Sequence, residues 1–361
     1  MARPLHVGII GVNMTGGWAA EAHVPAVQAL EGLTLAAIAA RSQSAADDAA
    51  HIFGVDRGYG DGFALIADPA IDIVTVATRV PEHRDLLLAA IAAGKHVYSE
   101  WPLGQDHEQA AEIAHAARAV GVKTAIGLQL RGSPAVRRAR DLIASGALGR
   151  LLSASAFSST AGFGPDVPPQ FAYTEYPASF ANLVTIQAAH TLDLVLAVAG
   201  APTLFSAQLS RQFPAIKVGE PRRQQDRLTY DHVLVHGRLA DDVPFALEVA
   251  GGRTGETPFW LDLVGEAGSL RLDGGAPRGV QSGPIGLLLN GKRQLIEGNG
   301  DPTNSAVNVA GVYAALRDDI VHAGSSATGF DHAVRLTNLV EDILVSTETA
   351  QVRDPGTWPV H

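Results

Sequence analysis

Leu5-His6-Val7-Gly8-Ile9-Ile10-Gly11-Val12-Asn13-Met14-Thr15-Gly16-Gly17-Trp18 is the stretch whose reading decides the fold. A short apolar run ends at a glycine, a glycine-rich turn follows, and an Ala-rich helical pattern takes over across 19–30. A strand buried on both faces reads as a continuous apolar run, and glycine lets the chain leave such a strand in a tight turn. Gly11 supplies that turn, and Gly16 or Gly17 lets helix and strand pack closely. Amides at a helix N-terminus attract anions, so the turn is built for a pyrophosphate. Gly11, Asn13, Met14, Thr15 and Gly16 are the candidate phosphate-loop residues. The middle glycine of the dinucleotide-binding fingerprint is replaced by Asn13, the non-glycine residue that best tolerates positive φ.

Outward from the loop, apolar runs at 6–10, 33–39, 71–77, 96–99 and 123–126 alternate with helical patterns at 19–30, 44–53, 82–93 and 107–120. This alternation winds into a parallel sheet covered by helices on both faces, a Rossmann domain over 1–127. Gly94 and Gly121 stand where left-handed helix caps are wanted. The second strand runs into Ala40-Arg41-Ser42. No carboxylate is there to accept adenine-ribose hydroxyls, whereas Arg41 and Ser42 can hold a 2′-phosphate, so NADP is expected, with NAD as the alternative if Arg41 is only a solvated surface residue.

Beyond 127 the pattern changes. Runs at 151–159, 204–212, 228–239, 245–250 and 259–264 alternate polar and apolar residues, as strands with one covered face do, among helices at 134–144, 184–199 and 331–349. The expected fold class is therefore α/β plus α+β: residues 128–361 form an α+β domain with a largely antiparallel open sheet, whose last helix can pack back on the first domain. The Gly- and Pro-rich stretch 162–169, followed by Phe171, Tyr173 and Tyr176, reads as a loop bordering a pocket, with ordinary packing as the alternative.

Composition excludes several function classes. The 361 residues are 47% hydrophobic and 18% charged, enough for two ordinary cores. A net charge of −10 without a basic run argues against direct nucleic-acid binding. The absence of cysteine excludes disulfides, thiolate nucleophiles and Cys-ligated zinc. His232 and His236 share a strand face but sit about 13 Å apart, too far for one metal, and no metal site is expected. Arg137-Arg138-Ala139-Arg140-Asp141 reads as a solvated face. The N-terminal apolar run is too short for a signal or membrane segment, so a cytoplasmic protein is expected.

The motifs Val76-Ala77-Thr78 with His83, Gly94-Lys95-His96-Val97-Tyr98-Ser99-Glu100-Trp101-Pro102, Gly127-Leu128-Gln129-Leu130-Arg131, the run from Leu142 to Gly149, and His190-Thr191-Leu192-Asp193 resemble the glucose-fructose oxidoreductase and inositol dehydrogenase (Gfo/Idh/MocA) family. The resemblance covers almost the whole chain. It implies cofactor contacts from Thr78, His83, Glu100, Trp101 and Gln129, with Glu100 on the nicotinamide ribose. It also implies a proton-transfer group made of the Lys of a Glu-Lys-Pro turn with an Asp and a His from a second-domain helix. Here Trp101 replaces the Lys, Ile186 stands four positions before His190 where the Asp belongs, and His190 remains. Trp donates one hydrogen bond and accepts no proton, and Ile does neither.

His190 is the first catalytic candidate, with Tyr176 as a replacement acid and Tyr173 and Asn182 as further donors; a satisfied core histidine is the plain alternative for His190. Gly17-Trp18 after Asn13, Glu100-Trp101, Leu128-Gln129 and Ala189-His190-Thr191 are similar to a branch of the family that has become a nucleotide-binding regulator. Two functions are thus expected to compete. One is an NAD(P)-dependent oxidoreductase acting on a small, sugar-derived carbonyl or hydroxyl compound, and the other is a catalytically silent NAD(P)-binding regulator. A homodimer or homotetramer is expected, because open sheets commonly bury their free face on a copy of themselves.

Overall fold

The structure, a computed structural model, describes residues 3–14, 17–219, 221–296 and 305–356. Along the chain run β1 (Leu5–Ile10), a π-helical turn (Ala19–His23) leading into α1 (Val24–Gln28), β2 (Leu33–Ala39), α2 (Gln43–Phe53), β3 (Gly58–Tyr59), α3 (Gly62–Ala67), β4 (Ile73–Val76), α4 (Val80–Ala92), β5 (His96–Ser99), α5 (His107–Val120), β6 (Thr124–Ile126) and α6 (Pro134–Ala144). There follow β7 (Leu151–Ser159), β8 (Asp166–Val167), a second π-turn (Val184–Ala188) with α7 (Ala189–Ala199), β9 (Pro202–Ser210), β10 (Ala215–Val218), β11 (Arg223–Asp226), β12 (His232–Leu239) and β13 (Pro244–Ala250). Last come β14 (Phe259–Gly265), β15 (Ser269–Gly274), β16 (Ile285–Leu289), β17 (Lys292–Arg293), α8 (Ala306–Val321) and α9 (Phe330–Thr349). Two compact units emerge, Met1–Gly132 with Asn304–Arg335, and Ser133–Thr303 with Leu336–His361. The segment 304–335, read from sequence as part of the second domain, belongs to the first unit.

In the first unit six parallel strands take the order β3-β2-β1-β4-β5-β6. The strand order, not the strand direction, reverses between β1 and β4, the switch point where open α/β sheets bind ligands beyond their carboxyl ends. Val7, Ile9, Ile38, Ile73, Val74 and Val76 are fully buried, which is why β1, β2 and β4 are mostly apolar. Helix ends are set locally: Ser42 caps α2 and Gly54 ends it in the left-handed region, while Asp106 and Gly121 do the same for α5. Helix α8, absent from the sequence reading, completes this core by packing Val309, Val312, Tyr313 and Leu316 with Val24, Val27 and Leu33.

The second unit is built on an eight-stranded sheet ordered β17-β16-β15-β14-β7-β13-β12-β9, antiparallel except for the β7–β13 pair. Alternating burial along β12 and β13 leaves one face open, with Leu204, Leu234 and Val264 among its exposed side chains. The helical run Pro177–Ala199 is apolar enough to cross a membrane, with a mean hydropathy of 1.4, but 89% of that window is buried in the protein, which makes it a core helix. Strand β12 starts at His232 rather than 228 because Asp231 turns away to accept hydrogen bonds from the Gln212 and Phe213 amides.

Candidate functional site

The carboxyl ends of β1, β2, β4, β5 and β6 bring most of the expected cofactor residues to one edge of the first unit. Gly11 has φ 99°, and a Cβ there would stand 2.6 Å from the Ala77 carbonyl oxygen. The turn off β1 thus needs glycine both for its backbone angle and for its approach to the end of β4. The positive φ belongs to Gly11 and not to Asn13, contrary to the role read for Asn13 from sequence. Asn13 instead accepts the Gly17 amide on its carbonyl at 3.0 Å, and Gly17 is small because a Cβ would meet that same oxygen. The Gly17 amide is therefore spent inside the loop. Met14 is 39% exposed at the turn. Thr15 and Gly16 lie outside the described residues.

At the end of β2, Arg41 is exposed and makes no ion pair or hydrogen bond among the described residues. Ser42 accepts the Ala45 amide as the cap of α2, which leaves its hydroxyl hydrogen and one lone pair to offer. Thr78, after β4, and Gln129, after β6, carry buried oxygens with no hydrogen-bond partner, Oγ1 and Oε1. Buried polar atoms are nearly always satisfied, so orphans at the ligand-binding edge of a sheet fit groups that await a ligand. Together with the glycine cradle and the free guanidinium of Arg41, they fit a dinucleotide.

His83 has another task. Its Nδ1 lies 2.8 Å from the Pro102 carbonyl oxygen and its Nε2 3.2 Å from that of Thr78. Burial pushes its pKa below the ordinary histidine range, against the upward pull of these two carbonyls. A neutral ring carries one N–H and donates to only one of these carbonyls while facing the other, and from this buried position His83 braces the turns after β4 and β5. Trp101 is buried and joined to Pro102 by a cis peptide bond.

Glu100 meets a residue that sequence reasoning missed. His23 is fully buried, with Nε2 3.0 Å from Glu100 Oε1 and Nδ1 2.9 Å from Tyr313 Oη. Tyr313 in turn lies 2.7 Å from Thr75 Oγ1. His23 points inward because the turn Ala19–His23 is π-wound, with the Val24 amide reaching back to the Ala19 carbonyl. Pro25, at the start of α1, has no N–H to enforce the tighter turn. The only sequence signal was a polar residue at an inward position of a helical stretch.

Of the catalytic candidates in the second unit, His190 is 4% exposed on α7, whereas Tyr176 is 56% exposed between two 3-10 turns. The Asn182 amide oxygen caps Val184 and Thr185. The turn Val184–Ala188 is also π-wound, with the Ala188 amide bonded to the Leu183 carbonyl. A wide turn moves the residue sharing a face with His190 from four positions back towards five. Thr185, five positions back, is buried like His190 with its hydroxyl bonded at the Asn182 backbone, and Ile186 is half-buried. Sequence reasoning also missed a buried charge cluster. Arg227 lies 3.4 Å from Glu175 and 3.5 Å from Asp231, and it donates to the Gly164 carbonyl at 2.5 Å, pinning both ends of the loop 164–175. Burial raises the Glu175 carboxyl above its ordinary range despite the neighbouring guanidinium.

The profile of an oxidoreductase family with an NAD-binding Rossmann fold matches residues 5–128, and that of the Gal80p C-terminal domain matches residues 134–274. The chain thus carries a Gfo/Idh/MocA Rossmann domain over residues 5–128, followed by a domain similar to the C-terminal domain of Gal80p. Dehydrogenase aclE of Aspergillus oryzae is 28% identical over 340 residues, 89% of each chain. The galactose/lactose metabolism regulatory protein GAL80 of Saccharomyces cerevisiae is 26% identical over 298 residues, 76% of this chain and 68% of that one. Among solved structures, a super-repressor mutant of Gal80p from Saccharomyces cerevisiae superimposes with TM-score 0.86 at 22% identity, covering 98% of each chain. Levoglucosan dehydrogenase in complex with NADH does so with TM-score 0.83 at 21% identity, covering 99% of this chain and all of that one. The relatives thus include dehydrogenases and a transcriptional regulator alike.

Proposed function

We propose that this chain is an NADP(H)-dependent oxidoreductase that moves hydride between the nicotinamide and a small, sugar-derived carbonyl or hydroxyl compound. The observation that carries the reading is the set of polar groups left open at the switch-point edge: Thr78 Oγ1, Gln129 Oε1 and the Arg41 guanidinium. The preference for the 2′-phosphate rests on Arg41, since a free guanidinium binds phosphate by charge-assisted, paired hydrogen bonds and no carboxylate competes at the end of β2. The bound nicotinamide supplies the hydride chemistry. In this reading the glycine turn at Gly11 admits the pyrophosphate, Glu100 accepts ribose hydroxyls, and Trp101 excludes water from the apolar wall. His190 donates or takes the single proton that reduction or oxidation requires, with Tyr176 as the alternative donor. The names of the relatives support a sugar-derived substrate, levoglucosan dehydrogenase above all.

Trp101 and Ile186 favour a second reading, a nucleotide-binding regulator without turnover, because neither can transfer a proton. The match of residues 134–274 to the Gal80p C-terminal domain points the same way. Incubating the protein with NADPH and a panel of sugar-derived carbonyl compounds while following absorbance distinguishes the two. Consumption that His190→Ala abolishes supports the enzyme, and binding without consumption supports the regulator. We further take the chain to act in the cytoplasm as a homodimer or homotetramer, without membrane or nucleic acid. The open sheet face carrying Leu204, Leu234 and Val264 would be buried between copies.

A further inference from the structure

We propose that His23 is the positioning residue of the cofactor site, holding the Glu100 carboxylate for the nicotinamide ribose through a hydrogen-bond chain anchored on Tyr313. The inference rests on the reading of Glu100 as a cofactor contact and adds the device that sets it. A carboxylate only accepts hydrogen bonds, so at 3.0 Å His23 Nε2 must carry the proton facing Glu100. The other nitrogen of a neutral ring is then an acceptor, and Tyr313 Oη, 2.9 Å away, donates to it. Tyr313 in turn accepts from Thr75 Oγ1 at 2.7 Å. With a neutral ring, one arrangement of protons satisfies all four groups, and Glu100 selects the histidine tautomer.

The chain is enclosed. His23, Thr75, Tyr98 and Tyr313 have no exposed surface, and the Tyr98 ring stands edge-on to His23 with centroids 5.0 Å apart. Gly127 packs directly against Glu100, since a Cβ there would collide with Oε1. His23 and Gly127 both meet Glu100 at Oε1 and restrict the carboxylate at the edge of the sheet. Tyr313 comes from α8, some 290 residues beyond His23. The site therefore borrows a support from the returning C-terminal segment, and residues 1–132 alone do not contain it.

The test is a calorimetric titration of the full-length protein with NADPH and NADH, with melting curves to check folding. His23→Leu is expected to weaken nucleotide binding about tenfold, the loss of one charge-assisted hydrogen bond. His23→Gln, which keeps a donor at the same reach, should stay within about threefold of the wild type. In a Glu100→Ala background His23→Leu should add nothing, because its effect passes through Glu100. A folded His23→Leu protein that binds like the wild type overturns the inference, as does a penalty that persists in the Glu100→Ala background. Should His23→Leu not fold, Tyr313→Phe serves in the same cycle. Weakening that vanishes with Glu100→Ala supports the chain, and unchanged binding overturns it. Failure of the wild type to bind either nucleotide would instead refute the cofactor reading beneath it.

Discussion

Replacing Gly11 by alanine perturbs the turn on which the account depends. An L-residue at φ 99° is strained by about 1–2 kcal/mol. The new Cβ would stand 2.6 Å from Ala77 O and 2.7 Å from Ala77 C, backbone atoms in the sheet that cannot move aside as a side chain can. Overpacking of this kind adds about 1–3 kcal/mol. The sum, about 2–5 kcal/mol, would lower the melting temperature of the first unit by about 5–15 °C. Thermal unfolding with and without NADPH measures this, because a ligand raises the transition of the unit that binds it. Gly94→Ala is the control: φ is 70°, but nothing lies within 4 Å of its Cβ, so only the backbone strain of about 1 kcal/mol is expected. Equal melting temperatures for the two variants would refute the claim that contact with Ala77 demands glycine, and undiminished protection of Gly11→Ala by NADPH would refute its place in the cofactor turn.

Two further outcomes follow from buried charge. Arg227→Met leaves Glu175 and Asp231 without their cation in an enclosed site, and urea unfolding should show a loss of about 3–5 kcal/mol, partly recovered by adding Glu175→Gln. His83, whose pKa burial holds below the ordinary histidine range, takes up its second proton less readily in the folded protein than in the unfolded chain, so its contribution is present above the unfolded pKa of about 6.5 and is lost as pH falls. The stability advantage of the wild type over His83→Gln should therefore shrink from pH 7 to pH 5 in urea titrations, and a constant or growing advantage would contradict the buried neutral ring.

Much of this was legible in the sequence for physical reasons. Strands β1, β2 and β4 read as mostly apolar runs because much of both faces is covered, and the glycines at 11, 94 and 121 mark turns that no other residue enters cheaply. Helix α8 was hidden by its surroundings. Its residues Ala306–Val321 are apolar on more than one side and interrupted by Gly311, whose lack of a side chain admits the Gly132 backbone. Strand β11, Arg-Gln-Gln-Asp and wholly exposed, has no alternation to read. The two π-turns were equally invisible, since a one-residue change in winding leaves composition untouched yet decides where His23 and Thr185 point. Partners separated by 77 and 290 residues, as Glu100 and Tyr313 are from His23, exist only once the sheet is assembled.

The most direct test of the central claim is a side-by-side titration of the wild type and Arg41→Ala with NADPH and NADH. Arg41 is exposed and unpaired among the described residues, so its removal should leave folding and NADH affinity unchanged. The account predicts that the wild type binds NADPH about 10- to 100-fold more tightly than NADH and that the gap closes in the variant. Tighter binding of NADH by the wild type, or a gap that survives in Arg41→Ala, would contradict it.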